Sequence, residues 1–267
     1  MPADTIDFNI IGEDLQAVVV TLDPGEAAVA EAGAFLYSQD GIEMGTHLSM
    51  KKDAGGILGR LFEAGKRVLT GDSFFVTFFT NNTRDRRDVA FAAPYPGRVM
   101  PIELADYGGQ ITCQKDSFLC AARGVEVDIA FNKRIGAALF GGEGFILQKL
   151  SSPSGRGMAF LHAGGTLVER TLGPGEILRA DTGCLVGFER TVDYDIQMVP
   201  GIRNKLFGGE GLFFVKLTGP GRVILQTLPF SRLADRIIAA APSAGGKSVG
   251  EGSVLGGIGR LLDGDNS

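Results

Sequence analysis

The tract Phe140-Gly141-Gly142-Glu143-Gly144-Phe145-Ile146-Leu147 returns nearly unchanged as Phe207-Gly208-Gly209-Glu210-Gly211-Leu212-Phe213-Phe214. A looser copy precedes both, as Leu69-Thr70-Gly71-Asp72-Ser73-Phe74-Phe75-Val76. Gly71, Gly142 and Gly209 stand 71 and 67 residues apart. A spacing this regular means one β-rich unit used three times, which constrains the architecture more than any single residue does. It says little about chemistry.

The apolar segments between these tracts are short and punctuated, as strands are. Gln16-Ala17-Val18-Val19-Val20-Thr21-Leu22 ends at Asp23-Pro24-Gly25-Glu26, where Pro presets φ and Gly tolerates a left-handed turn. The device returns as Leu172-Gly173-Pro174-Gly175-Glu176. Each turn is followed by a related tract, Ala30 to Leu36 in the first unit and Ala180 to Val186 in the third. Gln114 to Cys120 is the weaker counterpart in the second. Alternation from Val125 to Phe131 predicts a strand with one wet face. Each unit therefore reads as a strand pair, a variable connection, and a Gly-acidic turn feeding an apolar strand. The expected fold is all-β, with units over residues 15–96, 97–165 and 166–230 forming a single continuous body over 1–230. No long Pro/Ser linker divides them. Glycine, 40 of 267 residues, suits such tight connections.

Two segments break the β rhythm. Ile57, Leu58, Leu61, Phe62, Val68 and Leu69 recur near helical spacing with Arg60, Glu63, Lys66 and Arg67 between them, predicting a short amphipathic helix in the first unit. Ser231 to Ala241 predicts a C-terminal helix over 231–242, with Ser231 as N-cap and Pro242 as the stop. Residues 243–267 read as a flexible glycine-rich tail.

The chemical motifs point away from catalysis. The Gly-Gly-Glu-Gly turns lack the G-x-G-x-x-G pattern, and no P-loop sequence occurs. The simplest role of each is a tight turn before a core strand. Asp72, Glu143 and Glu210 occupy equivalent places and form a candidate anionic rim for a cation or basic partner. The basic pairs Lys66/Arg67, Lys133/Arg134 and Arg203/Lys205 lie just upstream as possible ion-pair partners. His47 and His162 fall in different units beside no Cys or carboxylate cluster, so neither zinc binding nor general acid–base work is expected. Cys113, Cys120 and Cys184 lack CxxC spacing and read as reduced core thiols. No G-x-S-x-G elbow occurs, and Ser151 to Gly155 reads as a hairpin loop. No metal, cofactor or catalytic residue is assigned. The net charge of −5 argues against a nucleic-acid surface. With neither a secretory signal pattern nor a spanning apolar stretch, the expected location is cytoplasmic, peripheral to the inner face of the membrane.

Taken in order, Leu22-Asp23-Pro24-Gly25-Glu26, Ala30-Glu31-Ala32-Gly33, Asp40-Gly41-Ile42-Glu43-Met44, Leu69-Thr70-Gly71-Asp72-Ser73 and Phe207-Gly208-Gly209-Glu210-Gly211-Leu212 resemble the altered inheritance of mitochondria protein 24 family. The resemblance runs from Ile6 to Phe230 and reaches the tail at Gly252 to Gly257. It implies three β-sandwich modules per chain, similar to the tryptophan RNA-binding attenuation protein fold and of double-stranded β-helix type. It also implies a homotrimeric ring of nine modules. Bacterial members are cytosolic and of undefined function; a eukaryotic relative is associated with mitochondrial inner-membrane organisation. The family supplies no catalytic residues to carry over.

The functional expectation is a non-enzymatic, ring-forming scaffold or assembly factor with an unidentified protein partner. Its candidate membrane or partner contacts are Ile57, Leu58, Leu61 and Phe62. The alternative is a small-ligand binder using pockets between modules, and a third reading is an enzyme of unrecognised type. Open β edges in a non-closing array favour closure by head-to-tail contacts between chains, hence a homotrimer.

Overall fold

The computed structural model describes residues 2–31, 33–49, 74–133, 145–198 and 213–241. Its strands are β1 Asp7–Ile11, β2 Ala17–Leu22, β3 Ala27–Glu31, β4 Phe35–Ser38, β5 Ile42–Ser49, β6 Phe74–Asn81 and β7 Arg87–Ala92. There follow β8 Arg98–Glu103, β9 Gln110–Gln114, β10 Phe118–Ala122, β11 Glu126–Lys133, β12 Phe145–Ser151 and β13 Met158–Ala163. Last come β14 Leu167–Leu172, β15 Ile177–Asp181, β16 Leu185–Glu189, β17 Asp193–Met198, β18 Phe213–Thr218 and β19 Gly221–Gln226. The fold is all-β, and every strand pairing among the described residues is antiparallel. Among the described residues one α-helix, α1 (Phe230–Ala240), follows the strands and falls outside their compact unit. It starts one residue before the expected N-cap, so Ser231 lies inside it.

Strand pairing recurs in three sets of six. With positions a to f assigned to β2, β3, β4, β5, β6 and β7, a pairs with f, f with c, b with e and e with d. The set β8 to β13 repeats this scheme, and so does β14 to β19. Within each set the a–f–c and b–e–d groups lie in different sheets. Opposite Ala27, Gln110 and Ile177 at the start of b lie Thr80, Ser151 and Thr218. These partners are spaced by the same 71 and 67 residues as Gly71, Gly142 and Gly209. A β-bulge recurs in c, between Phe35 and Tyr37, Phe118 and Cys120, and Leu185 and Gly187.

Consecutive sets are joined edge to edge, b of one to c of the next: β3 to β10 and β9 to β16. The result is four sheets, β1-β2-β7-β4, β5-β6-β3-β10-β13-β8, β11-β12-β9-β16-β19-β14 and β15-β18-β17. Three apolar clusters follow the same succession. Val18, Val20, Phe91 and Phe79 draw on the first and second sheets. Ile102, Leu161, Ile111 and Leu150 draw on the second and third. Leu185, Val223, Val215 and Leu217 draw on the third and fourth. Large buried side chains such as Phe79, Phe91, Phe145, Phe160 and Phe188 make burial the main stabilising term, roughly 2 kcal/mol or more per fully buried side chain.

Two expectations require correction. The turns at Asp23–Glu26 and Gly173–Glu176 do not close strand pairs; β2 and β3, like β14 and β15, lie in different sheets. The turn chemistry itself is as read. Gly25 and Gly175 take φ +83° and +74°, and the Glu26 and Glu176 carboxylates accept from the N–H of Asp23 and Gly173 at 2.9 and 2.8 Å. Ser151 to Gly155 likewise bridges β12 and β13 in different sheets and is not a hairpin loop. In addition, register places Cys113, not Gln114, opposite e at the place of Ala30 and Ala180, so the second tract aligns one residue earlier than the sequence suggested. In that set the a–b connection is a 3-10 turn, Leu104–Tyr107, in place of the Pro-Gly device.

Candidate functional site

The residues singled out for an anionic rim, Asp72, Glu143 and Glu210, lie outside the described residues, as do Ile57, Leu58, Leu61 and Phe62. In the sequence, each of the three acids falls between d and e of its set.

The described residues instead concentrate unusual features at the b–c junctions and at the strands that lack one. At the two internal junctions apolar side chains are shut away: Ala28, Ala30, Cys120, Ala121 and Ala122 at the first, Ile111, Cys113, Val186 and Phe188 at the second. Close approach leaves no room in places, since a Cβ on Gly187 would stand 2.9 Å from Thr112 O. Arginines clamp the same seams. Arg123 donates to Gly25 O at 2.8 Å and pairs with Asp4 at 3.0 Å. Arg222 donates from Nε to Glu189 at 2.8 Å, lies 3.9 Å over the Tyr107 ring, and donates to Asp106 O. That set spans two successive units.

Strand c of the first set, β4, and strand b of the third, β15, have no such neighbour among the described residues. Phe35, Leu36 and Tyr37 on β4 are 39%, 51% and 44% exposed, and Ile177 on β15 is 47% exposed. Their counterparts Phe118, Leu119 and Cys120 are at most 2% exposed. Apolar strand edges of this kind template pairing with another chain.

A second feature is internal. His162 on β13 is buried, stands edge-on to Tyr95 with ring centroids 4.6 Å apart, and has no hydrogen-bond partner for Nδ1 among the described residues. Burial lowers its pKa to about 4, so the ring is neutral near pH 7. Gly97 is required beside it, because a Cβ there would sit 2.6 Å from the ring. A neutral, packed imidazole fits a core role. Gln148 is also buried, with neither amide atom partnered among the described residues. Gln226, by contrast, accepts from Gly164 N–H at 2.8 Å and donates to Gly183 O at 2.9 Å. Burial raises the thiol pKa of Cys113 and of Cys120, keeping both protonated and unreactive.

The profile of one family, described as Mitochondrial biogenesis AIM24, matches residues 8–228. The chain belongs to that family. A curated relative, an uncharacterised protein of Streptococcus pyogenes serotype M6, is 25% identical over 228 residues, covering 85% of this chain and 87% of its own length. A crystal structure of a Streptococcus pyogenes protein superposes with a TM-score of 0.65 at 22% identity, covering 88% of this chain and 99% of that one. That likeness concerns the fold.

AIM24 membership brings no activity with it here, so the sites rest on their own geometry. Sequence reasoning anticipated unpaired edges at the two ends of the array without naming the strands. The signal was present: Phe35-Leu36-Tyr37 aligns with Phe118-Leu119-Cys120, and only the latter has a preceding b strand to cover it. Among the described residues, no helix is long and apolar enough to cross a membrane.

Proposed function

We propose that this AIM24 protein is a non-enzymatic scaffold whose working form is a closed ring of its own copies, three being the expected number, which holds partner proteins together at a membrane surface. The observation that supports this reading is the pair of exposed apolar edges, β4 and β15, at opposite ends of a stack whose internal edges of the same kind are buried. Such edges favour association, and association of unlike edges either closes cyclically or grows into filaments. Light scattering of the full chain at micromolar concentration tests the ring: a mass near three times 28.1 kDa is expected, and a persistent monomer refutes it. Pull-down from the source cell under mild crosslinking then identifies what the ring holds.

A second reading, a small-ligand binder, has one observation in its favour. Gln148 is buried in the third sheet with an amide that has no partner among the described residues, a group that normally finds a protein, water or ligand partner. Native mass spectrometry of freshly purified protein decides. A reproducible retained small mass supports the binder; the bare chain mass removes it.

A further inference from the structure

Comparing the strand edges of the described residues across the three sets isolates one pair. Among the described residues the outer edge of d has no partner strand in any of the three sets, at β5, β11 and β17, and that of a has none at β8 and β14. Those edges are therefore constant features of the unit. Positions b and c behave differently. Among the described residues each is paired twice inside the chain, b of one set always with c of the next, and each is left open once, at β15 and at β4. The two halves left over match: the fourth sheet is d–e–b, the first is c–f–a extended by β1, and the two interior sheets run d–e–b–c–f–a.

We infer that β15 of one copy pairs antiparallel with β4 of a second copy, completing between chains the six-strand sheet that the chain twice builds within itself. The inference rests on the reading of the protein as a self-assembling scaffold and specifies the seam. The register follows from the internal seams. Cys120 lies opposite Ala30 and Ala121 opposite Val29; Gly187 lies opposite Cys113 and Phe188 opposite Thr112. Transferring these positions through the common b–e and f–c registers sets Tyr37 opposite Ala180, Ser38 opposite Arg179 and Gln39 opposite Leu178. Sizes agree along the line: each internal pair sets at least one small residue, Ala30 or Gly187, at this place, and Ala180 serves Tyr37 in the same way. The occupant is a second copy of this chain because the edge it needs, a bulged c strand with apolar exposed side chains, is present on the chain itself.

The alternation of backbone groups is also fixed. Gly219 N–H donates to Glu176 O at 2.9 Å, so Glu176, and with it Leu178 and Ala180, turns its backbone groups towards β18. Ile177, Arg179 and Asp181 turn theirs outwards. At the first internal seam Arg123 N–H donates to Ala27 O at 2.8 Å, which makes Cys120 and Ala30 a non-hydrogen-bonded pair, with Cα atoms about 4.5 Å apart. Tyr37 and Ala180 inherit that geometry, within reach of a disulfide. Their counterparts Cys120 and Cys113 are already cysteines.

Two full-length variants test the seam. Arg179→Pro removes an outward N–H while sparing the β15–β18 ladder, a place where an edge strand accepts proline. It is expected to convert the wild-type oligomer to a species near 28.1 kDa with the strand spectrum by circular dichroism retained; retention of the wild-type mass overturns the inference. In the second experiment Tyr37→Cys and Ala180→Cys chains are made separately, then co-expressed, and oxidised with Cys184 replaced by Ser. A two-chain disulfide product from the mixture and none from either variant alone supports the unlike-edge pairing. Self-crosslinking of either single variant, or no product from a mixture that still scatters as an oligomer, overturns it while leaving the ring reading in place. A wild-type monomer removes both together.

Discussion

Replacing Asn81 is expected to loosen the first unit at a single point, because one buried side chain there holds three segments. Its Nδ2 donates to Leu22 O at 2.9 Å and to Asp85 O at 2.8 Å, while Oδ1 accepts from Thr83 N–H at 3.0 Å and from Thr83 Oγ1 at 2.8 Å. It thus ties the end of β2 and the β6–β7 turn to β6. At about 1 kcal/mol net per hydrogen bond, with part-exposed partners regaining water, Asn81→Ala is expected to cost about 3 kcal/mol. For a chain of this size that lowers the melting midpoint by roughly 6–12 °C. Asn81→Asp is the discriminating control. It keeps the acceptor but turns a second oxygen on the carbonyls of Leu22 and Asp85, so it is expected to be at least as damaging as Ala. Thermal melts of the three proteins at pH 7 suffice. An alanine variant within 1 °C of wild type, or an aspartate variant more stable than alanine, refutes the assignment of the amide NH2 as donor to both carbonyls.

His162 titrates at about 4 when folded, against an ordinary value near 6.5, because burial penalises its charged form. Its contribution is complete above pH 6.5 and falls as the pH drops towards 4, where the unfolded chain binds a proton that the folded chain refuses. The loss is of the order of 3 kcal/mol in the unfolding free energy from urea titrations, and His162→Gln is expected to abolish this portion of the acid sensitivity. Arg222→Ala should lower stability by about 1–2 kcal/mol, with Arg222→Lys recovering only part, since the ammonium cannot reproduce the planar contact over Tyr107 or the paired donation to Glu189 and Asp106; equal melting of Lys and Arg forms would contradict this. Co-sedimentation with anionic liposomes is expected for the wild type and reduced in Ile57→Asp/Leu61→Asp; equal, negligible binding by both rules out the membrane-surface role.

Fold class was legible because periodicity survives in local sequence. Val18, Val20 and Leu22 alternate inward, the Pro-Gly-Glu turns have the geometry that their residues impose, and the spacing of the glycine tracts equals the spacing of the e strands. What failed was pairing. Nothing in Asp23-Pro24-Gly25-Glu26 distinguishes a turn that folds a strand back beside its neighbour from one that carries it across to a facing sheet, because the same type of turn serves both and the choice is made by distant partners, Arg87 to Ala92 for one strand and Val76 to Thr80 for the other. The one-residue slip at Gln114 has a similar origin: Lys115–Ser117 coils as a 3-10 turn where the first unit has Ala32-Gly33, and identity of side chains gave no guide to register. Phe35-Leu36 against Phe118-Leu119 would have corrected it. The edges at β4 and β15 carry no distinctive composition, since their residues are those of core strands; only the count of junctions marks them.

Each interior sheet takes three strands from one set and three from the next, so no set owns both walls of its core. Melting the middle set alone would strip β10 from β3 and β16 from β9, opening all three apolar clusters at once. The quantum of cooperativity is therefore larger than the repeat. Where solenoid arrays unravel by units, residues 7–226 should absorb heat in one peak, and a chain truncated at either internal seam should lack a folded fragment to fall back on.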